Sequence, residues 1–394
     1  MIENKKRKNI IIVGILVIFF ALIIVLEQVI APTDQMSMLL TVLKKGAIYS
    51  LIAVSMNLLN GFTGLFSLGQ AGFMLIGAYT YAVFTIPFAE RENVYRYYDS
   101  AINFSFPEVL SDFIGGPGMV LGVLIAIILA GLIAAGIAFL VGLPVLRLKS
   151  DYLAIATLGF AEIIRAVFQW GRLGPVTNGS NPLRNYVRQN AFAIDFSGVS
   201  AGLSTFFLVL ISAVCIAIIV LLVNSSYGRA FKAIREDETA AEAMGINLYR
   251  HKQLSFCISS FFTGVGGALL AIFMGTIIAS NFKASMTYEL LLIVVLGGIG
   301  SISGSIIGSM LFIFASEWWL RGLDSGSFLG ISLPLFRNGF RLVVFSVIIM
   351  LVVLLFRKGI MGDKELPAVL GNLIDRVRAR MHTARKAKAG EDDG

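Results

Sequence analysis

The sequence predicts an all-α, polytopic integral membrane protein of roughly 8–10 transmembrane helices, with glycine-broken half-helices and an internal duplication. Three observations predict it. The 394 residues are 57% apolar and only 14% charged, with a mean hydropathy of +0.83. Apolar runs of about 20 residues recur, each long enough to cross a hydrocarbon core of about 30 Å. These runs do not alternate polar and apolar residues as barrel strands would, so the backbone polar groups must be satisfied within helices.

The elements follow in order. Lys5, Lys6, Arg7 and Lys8 precede an apolar run from Ile10 to Leu26. This start resembles a secretory signal, but its apolar run exceeds the usual ~7–15 residues and no A-x-A site follows, so it reads as an uncleaved first span. Simple spans are expected at 10–30, 38–60, 65–86, 118–143, 152–170, 202–223, 253–280 and 338–356. The apolar segment 288–320 would be about 50 Å long as a straight helix, too long for one crossing. Gly297, Gly298 and Gly300 are expected to break it near mid-membrane into a re-entrant pair. Such backbone is tolerated only inside protein or beside a wet cavity.

Basic residues set the orientation. Residues 1–9, the loop 224–252 with Arg229, Lys232, Arg235, Arg250 and Lys252, and the tail 357–394 are expected on the cytoplasmic side of a bacterial inner membrane. The permease body is then 10–356. The acidic loop 87–117 and the turn-rich loop 171–201 fall outside. Lys44 and Lys45 break this pattern, because the same count places them outside. The tail is expected to be solvated, with LPAVLGNLIDRVRARM able to lie on the membrane as an amphipathic helix or to fray.

Several classes of chemistry find no support. Cys215 and Cys257 both lie in spans, and His251 and His382 have no metal-ligand spacing. No GxxxxGK[ST] loop occurs, no nucleophile–base constellation is visible, and no cofactor is implied. The net charge of +8 follows from basic cytoplasmic loops rather than nucleic-acid binding. The N-x-[ST] patterns at Asn103 and Asn178 read as turns rather than modification sites.

One motif occurs twice. NGFTGLFSLGQAGF carries Gly61, Gly64, Ser67 and Gly72; LGGIGSISGSIIGS carries Gly297, Gly300, Ser303 and Gly308 at the same spacing. Duplicated halves with helices broken at matching places are a transporter signature. The glycines serve close helix packing, or the two segments border a solute path and Ser67 and Ser303 offer it hydroxyls. Glu162 and Arg165, one turn apart within a span, form an ion pair whose first reading is structural.

The stretch SYGRAFKAIREDETAAEAMGINLYRHK, Ser226 to Lys252, is a charged island between apolar spans. Its composition favours two short helices, 228–236 and 238–244, bent near Asp237 and stopped at Gly245. Phe231, Ile234, Ala240, Ala241 and Met244 form its apolar stripe. As a plain alternative it is a solvated connector; its small residues and mixed charge favour a docking element.

This island resembles the cytoplasmic coupling loop of ABC importer permeases, and more closely the M-type (LivM-like) permease of branched-chain amino acid importers. MNLLNGFTGLFSLGQAGFMLIGAY, DYLAIATLGFAEIIRAV with GPVTNG, and VVLGGIGSISGSIIGS resemble that family's other segments, in family order, between about residues 40 and 362. The insertion 90–117 and the tail beyond 362 are less similar to it. The resemblance implies a non-catalytic permease in the lipid bilayer. It would pair with a second related permease, two cytoplasmic ATPase subunits and an extracytoplasmic solute-binding protein. It implies that Gly228 to Gly245 form coupling helices. Arg229, Arg235, Glu236 and Asp237 would meet the ATPase, and Ala240, Ala241 and Met244 would fill its groove. A permease for urea or short amides, and an ion-coupled secondary transporter, are the competing readings.

Overall fold

The computed structural model describes residues 34–148, 150–188, 193–196, 199–202 and 204–319, with short pieces at 23–24, 27, 344, 346–347, 350, 359–362 and 365. The spans expected at 10–30 and 338–356 lie mostly outside the described residues.

The fold is a bundle of apolar helices. Helix α1 spans Asp34–Asn57 and runs into one π turn, Leu58–Phe62. Residues 63–69 are not helical, and α2 follows over Gln70–Thr85. The expected span 65–86 is thus shorter, and its first residues are an irregular link. Then come α3 (Phe106–Ile114), α4 (Gly116–Val145), α5 (Ser150–Gln169) and α6 (Ser204–Val223). The island forms α7 (Ser226–Glu236) and α8 (Glu238–Ala243). The long α9 (Leu248–Met274) precedes a broken pair, α10 (Ala284–Gly297) and α11 (Ile302–Phe314), the latter ending in a π turn, Ala315–Trp319. Among the described residues, five helices are long and apolar enough to cross a membrane, or six if the bent segment 70–94 counts as one. A two-stranded antiparallel hairpin, β1 (Ala193–Phe196) with β2 (Val199–Gly202), is the one sheet among the described residues, beside an isolated bridge between Leu183 and Ile277. It lies in the turn-rich loop 171–201 and just beyond it.

Helix α9 is the central post, and small residues let its neighbours touch its backbone. A Cβ on Gly77 of α2 would sit 2.0 Å from the Gly264 carbonyl oxygen. In lipid, such close approach supplies the dispersion that hydrophobic burial cannot. The same core holds a closed polar cluster. Ser55 Oγ lies 2.8 Å from Thr263 Oγ1, which donates to Gln70 Oε1 at 2.7 Å, while Ser259 Oγ donates to the Ser55 carbonyl at 2.7 Å. All four side chains are buried, so satisfying one another removes the penalty of bare polar groups.

The pair α10–α11 is an antiparallel hairpin, with Gly308 packed on Ile293 and Gly304 on Gly297. Its turn, 298–301, packs beside Gly61 and Arg235. The break therefore sits at the end of the bundle that carries the island, not at mid-depth as expected. Helix α10 has only 14 residues, about 21 Å of rise, and uses all of it to reach that end.

Lys44 and Lys45, which fit the charge pattern poorly, are engaged by side chains. Lys44 Nζ donates to Ser204 Oγ at 2.8 Å, and that hydroxyl donates to Glu27 Oε1 at 2.8 Å. Lys45 pairs with Glu317. Partnered, partly buried lysines report internal pairing rather than topology.

At the end away from the island, the loop 87–117 is ordered around Arg91, which is buried and donates to the carbonyls of Val83, Ile86 and Phe104. Asn178, of the second loop, is buried and donates to the carbonyls of Val94 and Pro182. Its amide is a structural clasp between loops, which agrees with a turn and not a modification site.

Candidate functional site

The island folds as its sequence predicts. Asp237 is extended (φ −158°, ψ 110°) and its carboxylate accepts from the N–H groups of Thr239 and Ala240, so α8 starts afresh after α7. Gly245 closes α8 at φ 84°, a left-handed conformation that suits glycine. Gly228 is buried, and a Cβ there would lie 2.1 Å from the Val223 carbonyl oxygen. That contact presses α7 against the end of α6.

The faces of the two helices divide. Phe231, Ile234 and Ala241 point inward and are buried. Arg229, Glu236, Ala240 and Met244 are exposed, Met244 at 83% of its full area. Ala241, expected on the docking face, instead packs within the chain and its carbonyl accepts from Ile246 N–H. Arg235 stays exposed, yet its guanidinium reaches inward. Its Nη1 donates to the Gly61 carbonyl at 2.9 Å, while Nη2 pairs with Glu236 at 2.6 Å.

Arg235 meets both copies of the repeated motif. A Cβ at Gly64 would lie 2.9 Å from Arg235 Cγ, and one at Gly300 would lie 2.9 Å from Arg235 Nη1. These two glycines occupy equivalent places in the repeat and share a backbone state, φ +75° and +87°, which other residues rarely adopt. The remaining pairs also match in role. Gly72 lets α2 approach Ala161, and Gly308 lets α11 approach α10. Gly61 abuts the Gly300 N–H, and Gly297 abuts Gly304. Each repeated glycine thus stands where a Cβ would press on a neighbouring segment.

Asn57 locks the two breaks together. It is buried, its Oδ1 accepts from Gly300 N–H at 2.8 Å, and its Nδ2 donates to the Ser301 carbonyl at 2.9 Å and Ser305 Oγ at 2.7 Å. Sequence reasoning passed over this residue. An asparagine at 57, ahead of a second at 60 in the same apolar run, is the available signal.

The two serines differ. Ser67 is buried, its Oγ accepting from Gly69 N–H. Ser303 Oγ donates to Glu365 at 2.6 Å, and Glu365 also accepts from the N–H groups of Ile302 and Ser303. A carboxylate here satisfies the first amides of α11 and its positive dipole end. Glu365 belongs to the tail expected to be solvated. Residues before it hold on as well: Ile360 and Met361 N–H donate to the carbonyls of Leu296 and Gly297. Between α6, α7 and α11 lies a cavity of about 590 Å³ whose lining includes Phe62, Lys232, Arg235, Ser303 and Glu365.

Glu162 and Arg165 form the expected pair, with two contacts of 2.8 and 2.6 Å to one carboxylate oxygen. The other oxygen accepts from Ala284 N–H at 3.2 Å, at the start of α10. The pair therefore anchors the hairpin to α5. Among the described residues no cluster of three metal-ligating side chains occurs.

A bundle of apolar helices, two of its segments broken and both gripped by a polar loop, defines a multi-pass transport permease. The chain belongs to the family described as branched-chain amino acid transport system, permease component, whose model matches residues 38–356. It is similar to the high-affinity branched-chain amino acid transport system permease protein LivM of Escherichia coli K12, at 32% identity over 68% of this chain and 61% of that protein. It is also similar to a probable LivM of Methanocaldococcus jannaschii, at 26% identity over 68% of this chain and 76% of that protein. The related permease LivH of Salmonella typhimurium matches at 26% identity over 82% of this chain and 94% of its own length. The match thus spans about three-fifths of the Escherichia coli LivM. No solved structure matches the chain.

Proposed function

We propose that this chain is a permease subunit of an ATP-driven importer of branched-chain amino acids. Family membership and the names of the relatives support the solute class. In this reading a second related permease completes the path, an extracytoplasmic binding protein delivers solute, and two ATPase subunits dock on α7 and α8. Both termini and the island face the cytoplasm of the inner membrane.

The observation that carries the reading is the Arg235–Gly61 contact. Glu236, Ala240 and Met244 are exposed to an ATPase, Glu236 while paired with Arg235, and Arg235 in turn holds the π turn after α1. A push on the outer face is delivered to the backbone of the break. Arg235 then acts as a transmitter rather than as a docking residue.

The test is uptake by the complex reconstituted in vesicles, with leucine, isoleucine, valine and urea compared. ATP-dependent uptake of the three amino acids is expected. Glu236→Lys and Met244→Asp should insert normally and separate ATP hydrolysis from uptake. Gradient-driven uptake by this chain alone, without ATP, would replace the reading with a secondary transporter.

A further inference from the structure

At the end of the bundle away from the island, a second cavity of about 290 Å³ lies between α1, the end of α9 and the start of α10. Its walls are of three kinds. Phe273, Phe282 and Met286 are apolar; Lys45 supplies a cation, with Tyr49 beside it; Glu289 supplies an anion.

Glu289 is exposed and, among the described residues, makes no salt bridge or hydrogen bond. It is the only ionisable carboxylate on α10, whose next residues read LLLIVVLG. The Lys45 charge acts on it across the cavity, but a carboxylate that makes no hydrogen bond on an apolar membrane helix is costly, and its retention points to function. Lys45 has donors to spare. Its ammonium carries three N–H groups, of which the bond to Glu317 takes one, and it stands 5.6 Å from the centre of the Tyr49 ring. The volume is at the lower edge of ligand pockets, roughly 300–1,000 Å³. That suits a small solute and excludes a nucleotide or peptide.

A carboxylate with open acceptor sites, a cation with open donors and an apolar wall in one small cavity are complementary to an aliphatic zwitterion. We infer that this cavity is a binding station for an aliphatic α-amino acid. Glu289 takes its ammonium group, Lys45 its carboxylate, and Phe273, Phe282 and Met286 its side chain. The inference rests on the importer reading and adds a location in this chain. It also explains why Lys45, partly buried and already paired, is a lysine at all.

The test uses the reconstituted complex in a Cys215→Ala, Cys257→Ala background with Ser285→Cys, since Ser285 lines the same cavity and is exposed. Leucine should slow alkylation of the new thiol by iodoacetamide at least fivefold; lysine, glutamate and urea should not. Separately, Glu289→Gln should raise the leucine KM about tenfold while ATPase subunits still co-purify, and Glu289→Asp should recover part of the loss. ATP-driven leucine uptake with neither protection nor a changed KM overturns the site and leaves the importer reading standing. Protection by lysine or glutamate as strong as by leucine also overturns it. Absence of ATP-driven uptake by the unsubstituted complex overturns both.

Discussion

Arg235 Nη1 donates to the carbonyl oxygen of Gly61 at 2.9 Å, across 174 positions of chain. Through this bond the polar loop holds the π turn in which the first helix ends. A broken helix presents carbonyls with no partner in their own ladder, so an arginine from elsewhere can take one. The same arginine fills the space left by two glycines at φ > 0, one from each copy of the repeat, its Cγ against Gly64 and its Nη1 against Gly300.

Arg235→Met should leave the protein in the membrane and the ATPases bound, yet cut coupled uptake. A hydrogen bond to a charged group contributes about 1.5–3 kcal/mol, so a loss of roughly tenfold to a hundredfold is expected. Uptake per ATP hydrolysed is the measurement. An unchanged ratio would remove Arg235 from the transmission path.

Gly64→Ala and Gly300→Ala should each destabilise the protein. The left-handed backbone costs a side chain about 1–2 kcal/mol, and the added methyl group would press on Arg235. Gly136→Ala is the control, because a Cβ there meets nothing within 4 Å; it should shift stability by less than about 1 kcal/mol. Thermal unfolding in detergent separates the three variants.

The start of the tail should prove structural. Glu365→Gln removes the charged cap from α11 and should cost about 1 kcal/mol. Truncation after Lys358 should cost more than truncation after Glu365, because it also removes the Ile360 and Met361 bonds to the hairpin turn. Limited proteolysis between α10 and α11 would report the opening. Equal stability of the two truncations would contradict the assignment.

Glu162 serves two partners and Arg165 mainly one. Glu162→Gln should therefore reduce assembled protein more than Arg165→Met. The double variant should recover part of the loss, because a lone charge in a span is worse than none. The amount of intact protein extracted from membranes gives the comparison. Strictly additive losses would show that the two residues act independently.

The island was legible in detail because its signals are local. Helix propensity and a terminal glycine act within a few residues and mark α7, the bend near Asp237 and α8; the cap that Asp237 places on α8 is read from the structure. The repeat was legible for the same reason, as a spacing of small residues. The depth of the second break was not. Gly297, Gly298 and Gly300 announce an interruption, but only contact with Gly61 and Arg235 places it at the island end. Met244 and Ala241 show the limit most plainly. Both belong to one apolar stripe in the sequence, yet Met244 is exposed and Ala241 is buried.

The sequence by itself determined the class of the fold, the approximate helices, the glycine breaks and the polar loop. Each is encoded by hydropathy or backbone preference over a short window. Only the tertiary structure decided that Arg235 faces inward, that Asn57 joins the two breaks, that Glu365 caps α11, and that Lys45 and Glu289 share a cavity. Those relationships join residues between 62 and 248 positions apart. No periodic pattern encodes such pairings; they arise when packing brings an unsatisfied backbone group or an unpaired charge within reach of a side chain that can answer it.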